Sequence, residues 1–260
     1  MPLSDSDADW GTPLPGWPDG GWQNDGVFET MRVVGARPIA LDAHLARCLT
    51  SCAALGLSIA QARLERAAHA ALARYEPQSA ESILRVVVMG GARPTEARRI
   101  WAWCAPLPDE TVARRDGVHA ARVQARRWVL SAHKTTRAME RRRAHRQAAP
   151  LEPLYVDAAG SALEGATWSL FARFGDQLVT PPLDGRILPG VTRARVVAAA
   201  QGFGVAAVEA PLEAAALLHA DEVFVTNALL PIAPLVSLDA RPLSTDRTLS
   251  DALRTRLTPT

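Results

Sequence analysis

The feature that most constrains the fold of this chain is an interruption near residue 110. On each side of it, strand-like and helix-like segments follow one another in a different order. Pro106, Pro108 and the charged stretch 109–117 interrupt the apolar patterns and divide the sequence into two unequal blocks. Each block mixes segments with the two-residue period of strands and segments with the three-to-four-residue period of helices. This grouping predicts a two-domain α/β (α+β) protein. The predicted parts are an N-terminal loop at 1–22, a small α/β domain at 23–112 and a larger domain at 113–260.

The first block predicts three strands and two helices. Its strand-like segments are rich in β-branched and apolar residues, and its helix-like segments carry an apolar stripe or many alanines. Asp42 is placed to cap the first helix, and Gly56 to end it. The predicted order is strand 27–34, helix 42–55, helix 60–75, strand 83–90 and strand 99–105.

The second block alternates short strands with helices, and it contains no internal repeat. The segment at 118–127 alternates like a half-exposed strand, and EVFVT at 222–226 is typical of a buried strand. The predicted strands are 118–127, 153–157, 170–174, 177–181 and 222–226. The predicted helices are 135–149, 191–204 and 246–257.

The bulk composition favours a globular, cytoplasmic protein. Of 260 residues, 48% are hydrophobic and the mean hydropathy is near zero, which allows a substantial core. No apolar run is long enough to span a membrane, and the acidic N-terminus does not resemble a signal peptide. Three cysteines are too few and too unevenly spaced for a disulfide framework. We therefore expect a cytoplasmic protein without a membrane partner.

Two further kinds of site are disfavoured by the sequence. The basic run Arg141–Arg143 has Glu140 within one helical turn and no interleaved aromatic residues, so a solvated helix face explains it better than nucleic-acid binding. His44, Cys48 and Cys52 have a metal-like spacing, but the first and last are separated by roughly 12 Å along one helix, which is too far for one zinc ion. We expect core packing there, no metal site and no nucleic-acid partner.

Lys134 is the one lysine in a chain whose other 28 basic residues are arginine. Arginine replaces lysine wherever a solvated cation is needed, but a guanidinium does not serve as an amine nucleophile toward an aldehyde. A bias toward arginine codons would also leave a stray lysine by chance. The composition therefore makes Lys134 a candidate nucleophile without deciding between these explanations.

The segment RILPGVTRARVV is the sharpest local signal. Its Pro-Gly turn leads into a helix that starts at Val191 and Thr192, which would bring backbone amides, a hydroxyl and the positive end of a helix dipole together. Such a helix start can bind an anion such as phosphate. The simpler alternative is an ordinary helix cap by Thr192.

Five motifs together resemble the class IV aminotransferases, the pyridoxal-phosphate (PLP) enzymes of fold type IV. They occur in the order of that family and extend through most of the chain. They are NDGVFETMRV at 24–33, HLAR at 44–47, the region of Lys134, the run of LEGATWSLF at 163–171, TPP and LPGVTR, and ADEVFVTNALLPIAPL at 220–235.

The resemblance implies a two-domain architecture with the cofactor between a smaller N-terminal and a larger C-terminal domain. It implies that Lys134 forms the Schiff base with PLP and moves the α-proton, and that Glu164 faces the pyridine nitrogen. The other implied cofactor-binding residues are Arg47, Val191 and Thr192 at the phosphate, Leu188 at the ring, and Asn227 and Ala228 in a turn that completes the phosphate cup.

The resemblance also suggests a substrate wall and three departures from the family pattern. Phe28 and Thr30, expected on alternate sides of the first strand, are candidates for the wall, and Arg137 is a third. Ser169 stands where relatives commonly have Asn, and Ala228 where they have Thr or Ser. After Lys134 the run is TTRAME, where many members have Asn or Tyr, and the turn MGGARPTEARR lacks the glycine- and arginine-rich loop of many aminodeoxychorismate lyases.

The family resemblance implies a transaminase that moves an amino group between an amino acid or amine and an α-keto acid. NALLPIAPL looks most like the lyase, so aminodeoxychorismate lyase, which forms 4-aminobenzoate and pyruvate by β-elimination, is the alternative. A catalytically inactive binding protein of the same fold is a third. Relatives are dimers, so a homodimer is expected.

Overall fold

The computed structural model describes residues 26–77, 79–90, 99–125, 130–136 and 139–258. The chain divides into two compact units. The first takes its described residues from Met1–Pro108 and His133–Ala138, the second from Asp109–Ala132 and Met139–Thr260. The expected loop at 1–22 and Arg137 lie outside the described residues. The domain boundaries given above stay predictions.

The first unit is an antiparallel sheet with two helices on one face. The strands pair in the order β2-β1-β3-β4. Leu45, Cys48 and Cys52 of the first helix pack with Val27 and Met31 of the first strand in a buried cluster that the second helix completes. The elements are β1 (Gly26–Val34), β2 (Arg37–Pro38), α1 (Leu41–Ala54), α2 (Gln61–Arg74), β3 (Glu81–Met89) and β4 (Arg99–Pro106).

The start of α1 differs from the prediction. Its N-cap is Ala40, in the left-handed conformation with φ 54°, and no side chain caps it. Asp42 lies inside the first turn, where its charge faces the positive end of the helix dipole. The apolar stripe located the helix correctly, but the cap assignment to Asp42 was wrong, because a backbone turn at Ala40 starts the helix one residue earlier.

The second unit contains a ring of six strands. The pairs β8–β12–β13–β5–β6–β7 are closed by a further pair between β7 and β8, and β9, β10, β11 and β14 extend from the ring. Closure removes exposed strand edges from a sheet. The strands are β5 (Val118–Gln124), β6 (Glu152–Val156), β7 (Ser161–Gly165), β8 (Ser169–Phe174), β9 (Gln177–Thr180), β10 (Ala206–Glu209), β11 (Leu212–Glu213), β12 (Glu222–Thr226), β13 (Ala233–Leu238) and β14 (Arg241–Pro242).

The described residues of the second unit also form four α-helices: α3 (Asp109–Ala113), α4 (Met139–Ala148), α5 (Val191–Ala200) and α6 (Thr248–Leu257). The helix expected at 135–149 begins only at Met139, because Thr135 forms an antiparallel bridge with Val27 instead. The α5 helix is continued by a 3-10 turn and closed at Gly204, whose φ of +70° suits glycine. The closure of this helix by glycine is confirmed.

Glu222 joins three elements of the second unit. Its carboxylate is 1% exposed and accepts hydrogen bonds from the backbone amides of Leu249 (2.8 Å) and Ser250 (2.9 Å) at the start of α6. Arg173 on the neighbouring strand β8 donates Nε to the same carboxylate at 3.1 Å. The buried charge is therefore matched by a cation and by a helix N-terminus.

We expect Glu222→Ala to lower the stability of the protein by about 3 kcal/mol, because it leaves two buried helix amides without their acceptor and removes one carboxylate partner from the partly exposed Arg173 guanidinium. The melting temperature, followed by circular dichroism, measures the effect. Asp251→Ala is the control, since Asp251 is an exposed member of a surface pair with Arg254. Equal melting temperatures for the two variants would contradict this role for Glu222.

Candidate functional site

The segment that carries Lys134 is bound to the edge of β1. The Phe28 amide donates to the Lys134 carbonyl at 3.0 Å, and the Thr136 amide donates to the Gly26 carbonyl at 2.9 Å. The Lys134 amide in turn donates to the Ser51 hydroxyl of α1 at 3.3 Å. These contacts hold the backbone on both sides of the lysine, so the lysine is fixed by regular hydrogen bonding.

The amine of Lys134 lies over an aromatic ring. Nζ is 4.8 Å from the centroid of Phe28, which is a cation–π distance. Phe28 and Thr30 share one face of β1, because residues two apart in a strand point the same way. The expectation that they lie on alternate sides was wrong. Their cross-strand partners on β3 are Val87 and Arg85.

Arg47 on α1 forms a buried ion pair with Glu29 on the other face of β1. Arg47 Nε donates to Glu29 Oε1 at 2.8 Å, and Nη2 donates to Oε2 at 2.6 Å. His44, one helical turn earlier, places Nδ1 2.8 Å from the same Oε2. Glu29 is fully buried, so this carboxylate has its partners inside the protein.

The protonation states of this cluster follow from burial and charge. Burial alone raises the pKa of Glu29, but the hydrogen bonds and charges of Arg47 and His44 outweigh it and lower the pKa to about 2. Burial lowers the pKa of His44; the hydrogen bond and charge of Glu29 raise it, and the cations Arg47 and Lys134 lower it, so that the net shift is downward. A neutral His44 therefore donates Nδ1–H to ionised Glu29, and its 3.4 Å approach to Arg47 Nη2 is a contact without a shared proton.

In the second unit, Glu164 binds the loop that precedes α5. Both of its carboxylate oxygens accept the backbone amide of Leu188, at 3.1 and 3.2 Å. Glu164 is paired across the sheet with Ser169, at the point where β7 and β8 close the ring. The structure therefore brings together two residues that the sequence singled out, although Leu188 makes this contact through its backbone.

The start of α5 is suited to an anion. The helix begins at Val191, as expected, and its N-cap is Gly190, with no side-chain cap among the described residues. A methyl group on Gly190 would lie 2.8 Å from the Ser169 hydroxyl, so glycine allows a close approach here. Thr192 does not cap the helix. The amides of the first helical turn have no partner within the helix, and a helix start of this kind can bind an anion; phosphate binding here stays a prediction.

Asn227 shapes the turn after β12. Its Oδ1 accepts the amides of Leu229 (2.8 Å) and Leu230 (2.7 Å), and its own amide donates to the Leu230 carbonyl at 2.7 Å. Arg115 braces the turn through the Leu229 carbonyl at 3.3 Å. The side-chain oxygen of Asn227 thus holds the turn that contains Ala228.

Sequence reasoning missed Glu29 and Ser51, and it assigned His44 only to core packing. A signal for Glu29 is present in the sequence. Glu29 is two residues from Val27 and from Met31, so it shares with them the face of β1 that must be buried. A carboxylate at such a position requires a cation, and the spacing of His44 and Arg47 supplies one on the facing helix.

Comparison with known proteins identifies the family. A family model described as amino-transferase class IV matches residues 26–238. The chain belongs to this family. A D-alanine aminotransferase of Bacillus licheniformis is 24% identical over 86% of this chain and 83% of its own length. A bifunctional aminodeoxychorismate lyase / D-amino acid transaminase of Mycobacterium tuberculosis is 29% identical over 85% of this chain and 84% of its own.

Solved structures of class IV aminotransferases have the same fold. A fold IV transaminase from Curtobacterium pusillum is 25% identical, with a TM-score of 0.81 over 91% of this chain and 87% of that chain. A hypothetical aminotransferase from Mycobacterium tuberculosis, in an α-ketoglutarate- and PMP-bound form, is also 25% identical, with a TM-score of 0.81 over 99% of this chain and 92% of that chain. Another form of that protein is PLP-bound.

These comparisons confirm the predicted family, the α/β fold class of fold type IV and the assignment as an enzyme of the aminotransferase group. The family implies amino acid and keto acid substrates. Aminodeoxychorismate lyase remains the related alternative, since both activities occur among the relatives.

The described residues contain no group of three or more His, Cys, Asp and Glu side chains that could hold a metal ion. Cys48, Cys52 and Cys104 are buried free thiols. Every helix in the described ranges is too short or too polar to cross a membrane.

We expect ionised Glu29 to stabilise the protein fully above about pH 4.5, its ordinary pKa, and to lose this contribution as the pH falls to about 2, its folded pKa. The melting temperatures of the parent and Glu29→Gln should differ by a constant amount above about pH 4.5. This difference should shrink as the pH falls toward about 2. Exposed Glu76→Gln is the control. A gap that stays constant throughout would contradict the lowered pKa of Glu29.

Proposed function

We propose that this class IV aminotransferase is a PLP-dependent transaminase, and that Lys134 holds the cofactor covalently through Nζ. The observation that carries the proposal is the fixed position of the one lysine in the chain. Hydrogen bonds to Gly26, Phe28 and Ser51 hold its segment, and its amine lies over an aromatic ring. A nucleophile that must meet one aldehyde carbon requires such positioning.

The cofactor contacts are proposed for each unit by itself. In the first unit, Arg47 would bind phosphate, which suits its forked guanidinium. In the second unit, the first-turn amides of α5 at Val191 and Thr192 would bind phosphate, which suits a helix N-terminus. Glu164 would face the pyridine nitrogen, with its carboxylate held by the loop amide that precedes α5. Leu188 would pack against the ring, and Asn227 and Ala228 would contribute through the turn that Asn227 shapes.

When bound, PLP supplies an electron-withdrawing ring that stabilises negative charge at the substrate α-carbon. The chain provides the proton transfers. Lys134 Nζ would take the α-proton and return it to a neighbouring atom, as general base and then general acid. Glu164 would accept a hydrogen bond from the ring N–H and so keep the ring nitrogen protonated. Phe28 and Thr30, on one face of β1, and Arg137, outside the described residues, are proposed to contact substrate.

Homodimer formation and cytoplasmic residence are also proposed. The family resemblance supports the dimer, and three buried free thiols are compatible with a reducing compartment. Size-exclusion chromatography with light scattering would test the dimer through the molar mass in solution.

The Lys134 assignment is tested by moving the one lysine. We expect the parent with PLP to be yellow and, after borohydride reduction, to carry one cofactor mass on the peptide containing Lys134. Lys134→Arg should lose both signals. The control is Lys134→Arg/Arg74→Lys, which returns one lysine at an exposed position of α2. Equal labelling of that variant would contradict a special site at Lys134, and a colourless parent would favour the inactive binding protein.

The reaction type is tested by supplying each class of substrate. D-alanine, a branched-chain L-amino acid and an (R)-amine are each incubated with α-ketoglutarate, and the cofactor absorbance and the new amino acid are followed. We expect at least one of these donors to convert the cofactor and be consumed. Aminodeoxychorismate is the comparison substrate. Release of pyruvate and 4-aminobenzoate, with no reaction of any donor, would replace the transaminase with the lyase.

A further inference from the structure

The buried cluster of Glu29, His44 and Arg47 lies under the arginine that the proposed function assigns to the cofactor phosphate. Both oxygens of Glu29 accept from Arg47, through Nε and Nη2, at 2.8 and 2.6 Å. Two parallel hydrogen bonds between planar groups fix the orientation of a guanidinium as well as its place. The side chain of Arg47 is 10% exposed and that of Glu29 fully buried, so water contributes little to the arrangement.

His44 fixes Glu29 in turn. Its Nδ1–H donates to Oε2, the oxygen that also accepts from Arg47 Nη2. The two donors come from one helix, at positions three residues apart on the same face of α1. The carboxylate therefore cannot rotate without losing a hydrogen bond to each of them.

We propose that Glu29 and His44 are positioning residues, which act through Arg47 to select and orient the phosphate group of the cofactor. This inference rests on the proposed function, since it assumes that Arg47 meets that phosphate. Glu29 and His44 themselves would not touch the cofactor. Their effect should therefore appear only for ligands that carry a phosphate.

The negative charge of Glu29 also acts in the opposite direction, because it offsets the positive charge of Arg47. Removing this charge alone would strengthen the attraction between Arg47 and a phosphate dianion. Gln at this position, however, places an amide N–H donor against an Arg47 donor and breaks the two-point contact. We expect the loss of orientation to exceed the gain in net charge.

The experiment compares PLP with pyridoxal, which has the same aldehyde and ring but no phosphate. Dissociation constants for both are measured from cofactor absorbance in the parent and in Glu29→Gln. We expect Glu29→Gln to weaken PLP binding about tenfold, the equivalent of one lost charge-assisted hydrogen bond, and to leave pyridoxal binding unchanged. Inorganic phosphate, used as a competitor of PLP, should bind Glu29→Gln more weakly than the parent by the same factor.

Two further variants keep the test independent of folding problems at Glu29. His44→Leu removes the donor to Glu29 and should lower the preference for PLP over pyridoxal, whereas His44→Asn restores an N–H donor and should recover it. Glu81→Gln is the matched control, because Glu81 pairs with Arg32 at 3.1 Å on the same sheet. Its preference should equal that of the parent.

Each other outcome overturns a defined part of the inference. Equal weakening of PLP and pyridoxal in Glu29→Gln would make the cluster merely structural. Unchanged or tighter PLP binding would show that Glu29 does not position Arg47 for phosphate. A parent that binds neither aldehyde and gives no reduced adduct would instead remove the proposed function, and with it the assumed role of Arg47.

Discussion

The pairing of the Lys134 segment with β1 is the interaction on which the first unit's candidate chemistry depends. The chain leaves this unit after Pro108 and rejoins it at His133. It can rejoin because β2 covers the edge of β1 only at Val33 and Val34. The edge at residues 26–28 is paired with 134–136. The one lysine is thereby placed on a strand edge, where backbone hydrogen bonds define its position more tightly than a surface loop would.

A buried carboxylate imposes the second constraint on the same unit. Glu29 faces α1 because it lies on the same face of β1 as Val27 and Met31, which pack against that helix. An unpaired charge at this buried position would cost several kcal/mol. The facing helix must therefore present a cation and a neutral donor at a fixed height, which Arg47 and His44 do. The same helix also accepts the Lys134 amide at Ser51. One helix thus orients both the candidate phosphate ligand and the candidate nucleophile.

The periodicity of apolar residues and the turn residues correctly predicted those strands and helices whose conformation depends on their own sequence. The strand at β1, the stripe of α1 and the start of α5 at Val191 follow from periodicity and from a Pro-Gly turn. The prediction failed where a distant partner decides the conformation. Thr135 has a helical neighbourhood in sequence but bridges to Val27, which is 108 positions away. Glu29 was missed for the same reason, since its partners lie on another element, whereas Lys134 stood out by residue type alone.

Glu164 combines two tasks in the second unit. Its backbone pairs with Ser169 at the closure of the six-stranded ring, while its carboxylate holds the Leu188 amide. Ser169 in turn lies against Gly190, the residue at which α5 starts. The carboxylate and the helix N-terminus are therefore tied to one pair of strands. The absence of a side chain at residue 190 allows this approach, because a methyl group on Gly190 would lie 2.8 Å from the Ser169 hydroxyl.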